Sequence, residues 1–138
     1  MSGFQIIAYH EEKFQDIGII KNGLKTKMVS PFMNDVDDYS KPNELFCLSL
    51  IFCFYKTATK IVSIRKGKPL DVKVKILCKT LKDQKGYFFQ IDLFCGIKDL
   101  SIEETKAITE LTHKKCPISR LLEGYPQINL FSVSYEQI

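Results

Sequence analysis

The chain has 138 residues, of which 45% are hydrophobic and 26% are charged. These proportions are typical of a folded protein and exclude a disordered or fibrous chain, and the length predicts a single domain, 1–138. The net charge of +4 comes from 18 lysines and two arginines spread along the whole chain, whereas nucleic-acid-binding proteins usually cluster basic residues with arginine prominent, so we expect no nucleic-acid partner.

The first third of the chain predicts short β-strands. Apolar or alternating runs occupy 4–9, 16–20 and 24–30. The pair Asn22-Gly23 between the second and third runs is a strong signal for a tight hairpin, because both central positions of such a turn need positive φ. We therefore predict three strands here, with a hairpin between the last two.

A long apolar helix is predicted from about Ser40 to Arg65. Ser40 can serve as its N-cap, Pro42 suits the first turn, and the helix dipole favours Glu44. The run 45–55 is apolar almost all the way round, which is typical of a helix that is covered on nearly every side. This run is short of the roughly 20 residues that span a bilayer, so we expect no membrane span. A helix this long in so short a chain is expected to need a second subunit to cover it.

The second half of the chain predicts three further strands and two helices. The strands are 70–78, 87–95 and 127–133. The sequence 101–104 is a capping box that opens a helix whose inner stripe is Ala107, Ile108 and Leu111, and a short helix follows Cys116. The predicted order β-β-β-α-β-β-α-α-β is that of an α+β domain.

The five cysteines, at positions 47, 53, 78, 95 and 116, are odd in number and show no CxxC spacing. This number and spacing of cysteines argue against a zinc site and against an extracellular disulfide framework. Two histidines are too few for a histidine-rich metal site, and no glycine-rich phosphate loop is present. The amino-terminal residues show no signal peptide. We expect a cytoplasmic protein with mostly reduced thiols and no metal or organic cofactor.

Cys116 lies at the predicted N-cap of the short helix, with Pro117 as the first helical residue. Backbone N–H groups and the positive end of the helix dipole favour a thiolate there. His113 and the pair Lys114-Lys115 supply further positive charge nearby. Cys116 could equally be a simple residue of the helix boundary, and the local sequence leaves both interpretations open.

Cys53 lies in the middle of the long helix, where apolar surroundings alone would leave a thiol inert. It becomes a nucleophile only if a cationic group or a hydrogen-bond donor reaches its sulfur. Cys47, Cys78 and Cys95 are interpreted as packing residues.

Two segments resemble the motifs of one protein family. The segment "PNELFCLSLIFCF" (42–54) resembles the central helix of the OsmC/Ohr family, in which a Pro-and-Glu opening leads to Leu and then to a cysteine followed by Phe. The segment "THKKCPIS" (112–119) resembles the second family motif, Ala-His-x-x-Cys-Pro-x-Ser. The two strands and a helix between the motifs match the family's order, so the resemblance extends over essentially the whole chain.

The resemblance implies an OsmC-like fold, with curved antiparallel sheets around a long buried central helix in an intertwined homodimer. It implies a thiol peroxidase that reduces organic hydroperoxides. Cys53 would be the peroxidatic thiolate, and Cys116 would resolve the resulting sulfenic acid as a disulfide. Dithiols or lipoylated proteins would be the reductants. The aromatic side chains Phe46, Phe52 and Phe54 would suit the alkyl part of a peroxide.

The chain also departs from the family's pattern. An amino-terminal arginine activates the thiolate in the peroxidases of the family, but no arginine precedes Arg65, and Lys13 lies near the expected position. Asn43 occupies the position of the Ohr-type glutamate, and Glu44 comes one residue later. We expect Lys13 and Glu44 to take part in the site. The missing arginine favours an alternative function, a non-catalytic OsmC-like binding protein for an apolar ligand.

Overall fold

The computed structural model of the chain describes residues 5–138. Phe4, the first residue of the first predicted strand, lies outside the described residues. The chain clusters into two compact units that meet in sequence between Phe46 and Cys47. The elements follow the order β-β-β-α-β-β-α-α-β, with two additional short 3-10 helices, which confirms the predicted α+β class and order of elements.

The first unit contains a three-stranded antiparallel sheet in the order β1-β2-β3. Its strands are β1 (Ala8–Tyr9), β2 (Ile17–Ile20) and β3 (Lys25–Lys27). The predicted hairpin joins β2 to β3, and the Ile20 N–H donates to the Leu24 carbonyl at 2.8 Å. Asn22 takes a φ of 61°, as predicted, whereas Gly23 does not take positive φ. The turn therefore has three residues and differs from the predicted type.

The first helix, α1, spans Pro42–Lys66 and begins two residues later than Ser40. The prediction that Ser40 is the N-cap is wrong, because Ser40 pairs with Met28 in an isolated β-bridge. Glu44 instead reaches back and accepts a hydrogen bond from the Lys41 N–H at 2.8 Å. This contact satisfies one of the free donors at the helix start, so the acidic residue of the first turn has a capping role.

Within the chain, α1 is buried along one stripe, and the expectation that a second subunit covers its other sides stays a prediction. The stripe has a four-residue spacing and consists of Leu50, Phe54, Ala58 and Val62, each fully buried. On other faces, Leu48 and Phe52 are each 63% exposed. By length and composition, the whole helix is long and apolar enough to cross a bilayer. The prediction of no membrane span considered only the 11-residue run 45–55 and did not indicate this. Its buried stripe is that of a core helix.

The second unit contains a sheet in the order β4-β5-β6. Its strands are β4 (Val72–Asp83), β5 (Gly86–Ile97) and β6 (Ile128–Ser132). The pair β4–β5 is antiparallel, but β5–β6 is parallel. The expectation of antiparallel sheets is therefore wrong for β6, because the chain returns to the sheet through two helices, as parallel pairs require. Val74 faces Cys95 and Cys78 faces Ile91, so these four side chains share one face of the sheet.

The remaining helices are α2 (Ile102–Lys115) and α3 (Pro117–Arg120). The predicted capping box is confirmed, because the Glu104 N–H donates to Ser101 Oγ at 3.1 Å. The predicted stripe is wrong at Ala107, which is exposed. The buried residues of α2 are Thr105, Ile108, Thr109 and Thr112. The hydroxyls of Thr109 and Thr112 donate to backbone carbonyls four residues earlier, at 2.8 and 2.6 Å, so these polar side chains are buried with their hydrogen bonds made.

Candidate functional site

The second unit brings the thiols of Cys53 and Cys116 into direct contact. The Cys116 thiol donates a hydrogen bond to the Cys53 sulfur, with the two Sγ atoms 2.9 Å apart. Both cysteines are free thiols. A disulfide requires about 2.05 Å between the sulfurs, so only a small approach separates this pair from a covalent bond.

Cys116 is held between two helices. It is the C-cap residue of α2, and its N–H donates to the Thr112 carbonyl at 2.8 Å. It is also the N-cap of α3, as predicted, with Pro117 as the first helical residue. The Ser119 N–H donates to its sulfur at 3.4 Å. The two helix ends therefore fix the direction in which this thiol points.

The structure opposes the prediction that the local sequence favours a Cys116 thiolate. Burial raises the pKa of Cys116 above its ordinary value, and the hydrogen bond donated to Cys53 raises it further. The backbone N–H groups of Ser119 and Ile118 act in the opposite direction without reversing the shift. Cys116 therefore keeps its proton at neutral pH, and the donor in the pair is this thiol.

The positively charged residues near Cys116 in the sequence do not lower its pKa as predicted. Burial lowers the pKa of His113, opposed by the charge of Glu123, so the imidazole is neutral at neutral pH. The Nδ1 atom of His113 forms a hydrogen bond with Ser119 Oγ and not with a thiol. Lys114 and Lys115 are exposed. The environment of Cys116 is consequently that of a buried neutral thiol.

The two thiols differ in access. Cys53 is half-buried, whereas Cys116 has no exposed surface. Cys53 therefore presents surface to a solute, whereas Cys116 presents none. This geometry can carry out dithiol–disulfide chemistry, in which an accessible sulfur reacts first and its buried neighbour closes the disulfide.

The other two predicted site residues belong to the first unit. Lys13 lies in a 3-10 helix, Glu12–Phe14, where it is exposed and its Nζ stands 5.7 Å from the centre of the Phe14 ring. Glu44 caps α1 through the Lys41 N–H. Asn43, the alternative to Glu44, has a buried Oδ1 atom without a hydrogen-bond partner. The thiol pair itself consists only of residues of the second unit.

Of the aromatic residues expected at the site, Phe54 belongs to the core, where it is fully buried. Phe52 is exposed, and the Lys56 Nζ stands 5.4 Å from the centre of its ring. Among residues 5–138, no three His, Cys, Asp or Glu side chains converge so as to hold a metal ion.

Comparison with known proteins identifies the family. A family model described as "OsmC-like protein" matches residues 35–131. The chain belongs to the OsmC-like family. An "Organic hydroperoxide resistance protein-like 2" of Staphylococcus epidermidis is 25% identical over 93 residues, and this OsmC-like chain spans just under two thirds of that relative, 66%.

Solved structures share the OsmC-like fold. A candidate redox protein of Lactobacillus casei has a TM-score of 0.83 and 25% identity, with 97% of this chain and 93% of that chain covered. An organic hydroperoxide resistance protein of Elizabethkingia anophelis has a TM-score of 0.81 and 21% identity, with 96% of this chain and 98% of that chain covered. The predicted OsmC-like fold, two sheets with a central helix, is thereby confirmed.

Sequence reasoning missed two features of this OsmC-like chain. Ser119 orients Cys116 through its N–H, and the Cys-x-x-Ser spacing of an N-cap with its third helical residue could have indicated this. The second feature is the raised pKa of Cys47, which was interpreted, like Cys78, as a packing residue. Burial, then the charge and hydrogen bond of Cys78, raises the pKa of Cys47 to about 12. No spacing in the sequence indicates this shift.

Proposed function

We propose that the protein is a thiol-dependent peroxidase that reduces organic hydroperoxides. The observation that carries the proposal is the 2.9 Å contact between the Cys53 and Cys116 sulfurs. The accessible thiol beside a buried one is the arrangement that a two-cysteine peroxidase requires. Membership of a family that includes organic hydroperoxide resistance proteins supports the hydroperoxide as substrate.

The reaction begins at Cys53. Its thiolate attacks the terminal oxygen of the hydroperoxide, the O–O bond breaks, and the alkoxide leaves and takes a proton to become an alcohol. Cys53 is then a sulfenic acid. Cys116 loses its proton and attacks the Cys53 sulfur, and water leaves as the disulfide forms. Two thiols and one hydroperoxide thus give one disulfide, one alcohol and one water.

A dithiol or a lipoylated protein returns the enzyme to its reduced state. A thiolate of the reductant attacks the disulfide and forms a mixed disulfide, and its second thiol releases the enzyme. Since Cys116 is fully buried and Cys53 is half-buried, we infer that the reductant attacks the Cys53 sulfur. Cys116 is then the leaving thiol.

Lys13 and Glu44 are proposed to assist the attack. Lys13 would place a positive charge near the Cys53 thiolate, where the family's arginine places a two-pronged donor. Glu44 would hold that cation, in addition to its contact with the Lys41 N–H. A lysine offers a point charge, so it stabilises the transition state less than an arginine would.

A cytoplasmic homodimer completes the proposal. Leu48, Phe52 and Tyr55 recur at three- and four-residue spacing along α1, with exposed fractions of 63%, 63% and 38%. An apolar stripe of this kind on a core helix is typical of a subunit interface. The family likeness supports the same assembly.

One observation favours a second function, the binding of an apolar ligand without catalysis. The first unit contains a cavity of about 420 Å³ with a mostly apolar lining. Its lining residues include Ile19, Ile20, Leu24, Met28 and Leu45. A cavity of this size lies within the usual range for small-molecule sites.

Consumption of an alkyl hydroperoxide in the presence of a dithiol tests the proposal. The wild type is expected to turn over, and Cys53→Ser is expected to lose activity by roughly 100-fold or more, since the nucleophile is gone. Cys95→Ser is the matched control, because Cys95 is a buried cysteine outside the pair. Absence of turnover in both the wild type and Cys53→Ser, with a lipid co-purifying with both, would support the binding function instead.

A further inference from the structure

We propose that His113 is a positioning residue of the thiol pair. Its hydrogen bond with Ser119 ties α2 to α3 and thereby holds the Cys116 sulfur where it can bond to Cys53. The reaction proposed above assigns no role to the imidazole. The effect of His113 on the pairing of the two cysteines is a property of the fold, and only its effect on the peroxide reaction rests on the proposed function.

The helix α3 depends on its contacts for its position. It has only four residues, Pro117–Arg120, and a single isolated turn is not stable in water. Ser119 is the buried residue of this helix and has no exposed surface. A hydroxyl group buried in this way needs a hydrogen-bond partner, and His113 supplies it through Nδ1. This bond therefore anchors α3 at the point where it enters the core.

The bond between His113 and Ser119 spans the junction of two helices. His113 belongs to the last turn of α2, and Ser119 belongs to α3. Cys116 lies at the junction itself, as the C-cap of α2 and the N-cap of α3. A movement of α3 relative to α2 would have to break this side-chain bond, so the bond restricts the direction in which the Cys116 side chain points.

Ser119 passes this restraint to the thiol through its backbone. While its Oγ is held by His113, its N–H donates to the Cys116 Sγ at 3.4 Å. The Cys116 Sγ in turn donates to the Cys53 Sγ at 2.9 Å. The Ser119 N–H also opposes the effect of burial on the pKa of Cys116, so it favours negative charge on this sulfur. A chain of hydrogen bonds thus runs from the imidazole to the two sulfurs.

A fixed Cys116 matters at the step that forms the disulfide. In the proposed reaction its sulfur bonds to the Cys53 sulfur, the S–O bond of the sulfenic acid breaks, and the Cys116 proton leaves with the hydroxyl group as water. A group that is already held in place loses less entropy at such a step. A looser junction should therefore disfavour disulfide formation, whatever the oxidant.

The test measures the equilibrium between the thiol pair and its disulfide in glutathione buffers. One oxidised glutathione gives one protein disulfide and two reduced glutathiones. Every protein carries Cys47→Ser and Cys78→Ser, so that Cys53 is the only cysteine of tryptic peptide 28–56. After alkylation of free thiols, the fraction of this peptide linked to peptide 116–120 gives the equilibrium constant. No hydroperoxide is used, so failure of the proposed function would not change the result.

Two substitutions remove the bond from opposite sides. His113→Leu removes the imidazole and Ser119→Ala removes the hydroxyl, and we expect each to lower the equilibrium constant roughly 5- to 10-fold. The double variant should lose no more than either single variant, because both changes remove the same bond. His113→Asn keeps a polar atom near the position of Nδ1 and should recover most of the loss. Thr109→Val is the matched control, since it removes a buried hydroxyl whose bond stays within α2.

Three outcomes would overturn the proposal. The first is an unchanged constant in His113→Leu and Ser119→Ala, because a bond that only stabilises the fold acts equally on the reduced and oxidised forms. The second is an additive loss in the double variant, and the third is no recovery in His113→Asn. Circular dichroism checks that each variant folds. If His113→Leu does not fold, the comparison of Ser119→Ala with Thr109→Val provides the same readout.

Discussion

The Cys116 thiol, which is fully buried, donates its proton in a hydrogen bond to the half-buried sulfur of Cys53 at 2.9 Å. This contact joins the middle of α1 to the junction of α2 and α3, 63 residues later in the chain. The buried thiol keeps its proton, because burial raises its pKa. In the proposed reaction the two sulfurs have different roles: Cys53 reacts with the hydroperoxide, and Cys116 then closes the disulfide.

Replacement of Cys116 should separate the two steps of the proposed reaction. Cys116→Ser keeps the reactive sulfur of Cys53 but has no thiol to resolve the sulfenic acid. We expect one rapid equivalent of hydroperoxide to be consumed, followed by over-oxidation of Cys53 to the sulfinic acid. Mass spectrometry of the intact protein measures the added oxygens. If Cys116→Ser retained full turnover without added oxygen, Cys116 would have no resolving role; Cys95→Ser serves as the control.

The charge of Lys13 is expected to matter for the first step. Lys13→Met removes the positive charge and keeps most of the side-chain length, so we expect the rate of Cys53 oxidation to fall by roughly 10-fold or more. Lys21→Met is the matched control, since Lys21 is an exposed lysine of the same unit. Stopped-flow measurement of peroxide consumption gives both rates. Equal effects of the two changes would remove Lys13 from the site.

Glu44 combines a proposed charge with an observed cap, and two substitutions separate these roles. Glu44→Gln keeps an oxygen that can accept from the Lys41 N–H, whereas Glu44→Ala loses it. We expect both variants to lose activity, but only Glu44→Ala to lose stability, by about 1 kcal/mol. Urea denaturation and peroxide assays check this. Full activity of Glu44→Gln would restrict Glu44 to capping the helix.

The sequence predicted the element order, and the family resemblance implied the pairing of the two cysteine motifs, but neither predicted the details of burial. Both motifs are local patterns, and the family resemblance supplied their pairing. The extent to which α1 is covered depends on contacts across the whole chain, so an apolar run could not distinguish one buried stripe from a helix buried all round. The raised pKa of Cys47 was missed for a related reason, because it depends first on how deeply this residue is buried. The buried Thr109 and Thr112 of α2 were missed because their hydroxyls are satisfied by their own helix.

The exposed stripe of α1 predicts the oligomeric state. A lysine at position 52 would place a charge in the proposed interface, so Phe52→Lys should convert the dimer to a monomer. Leu121→Lys is the control, because Leu121 is 72% exposed in the turn after α3 and lies outside the stripe. Light scattering after size exclusion measures the mass. A dimer that survives Phe52→Lys, or a wild type that is monomeric, would contradict the proposed interface.

The raised pKa of Cys47 predicts a loss of stability at alkaline pH. The value rises from 9.0 to about 12, through burial first and then through Cys78. A thiol that holds its proton more tightly when folded stabilises the protein fully below pH 9.0, and this contribution disappears as the pH rises towards 12. The free energy of unfolding should therefore decline less steeply over this range in Cys47→Ser than in the wild type. Urea denaturation at several pH values measures both slopes, and equal slopes would contradict the assignment.

The central claim, a reaction between the sulfurs of Cys53 and Cys116, is tested most directly by peptide mapping of the wild type after one equivalent of an alkyl hydroperoxide. We expect two thiols to be lost per chain and peptide 28–56 to be linked to peptide 116–120. The Cys47→Ser/Cys78→Ser variant should give the same link, which excludes Cys47 as the linked cysteine of peptide 28–56. If Cys53 and Cys116 both remained reduced after this treatment, the account of this site would be wrong.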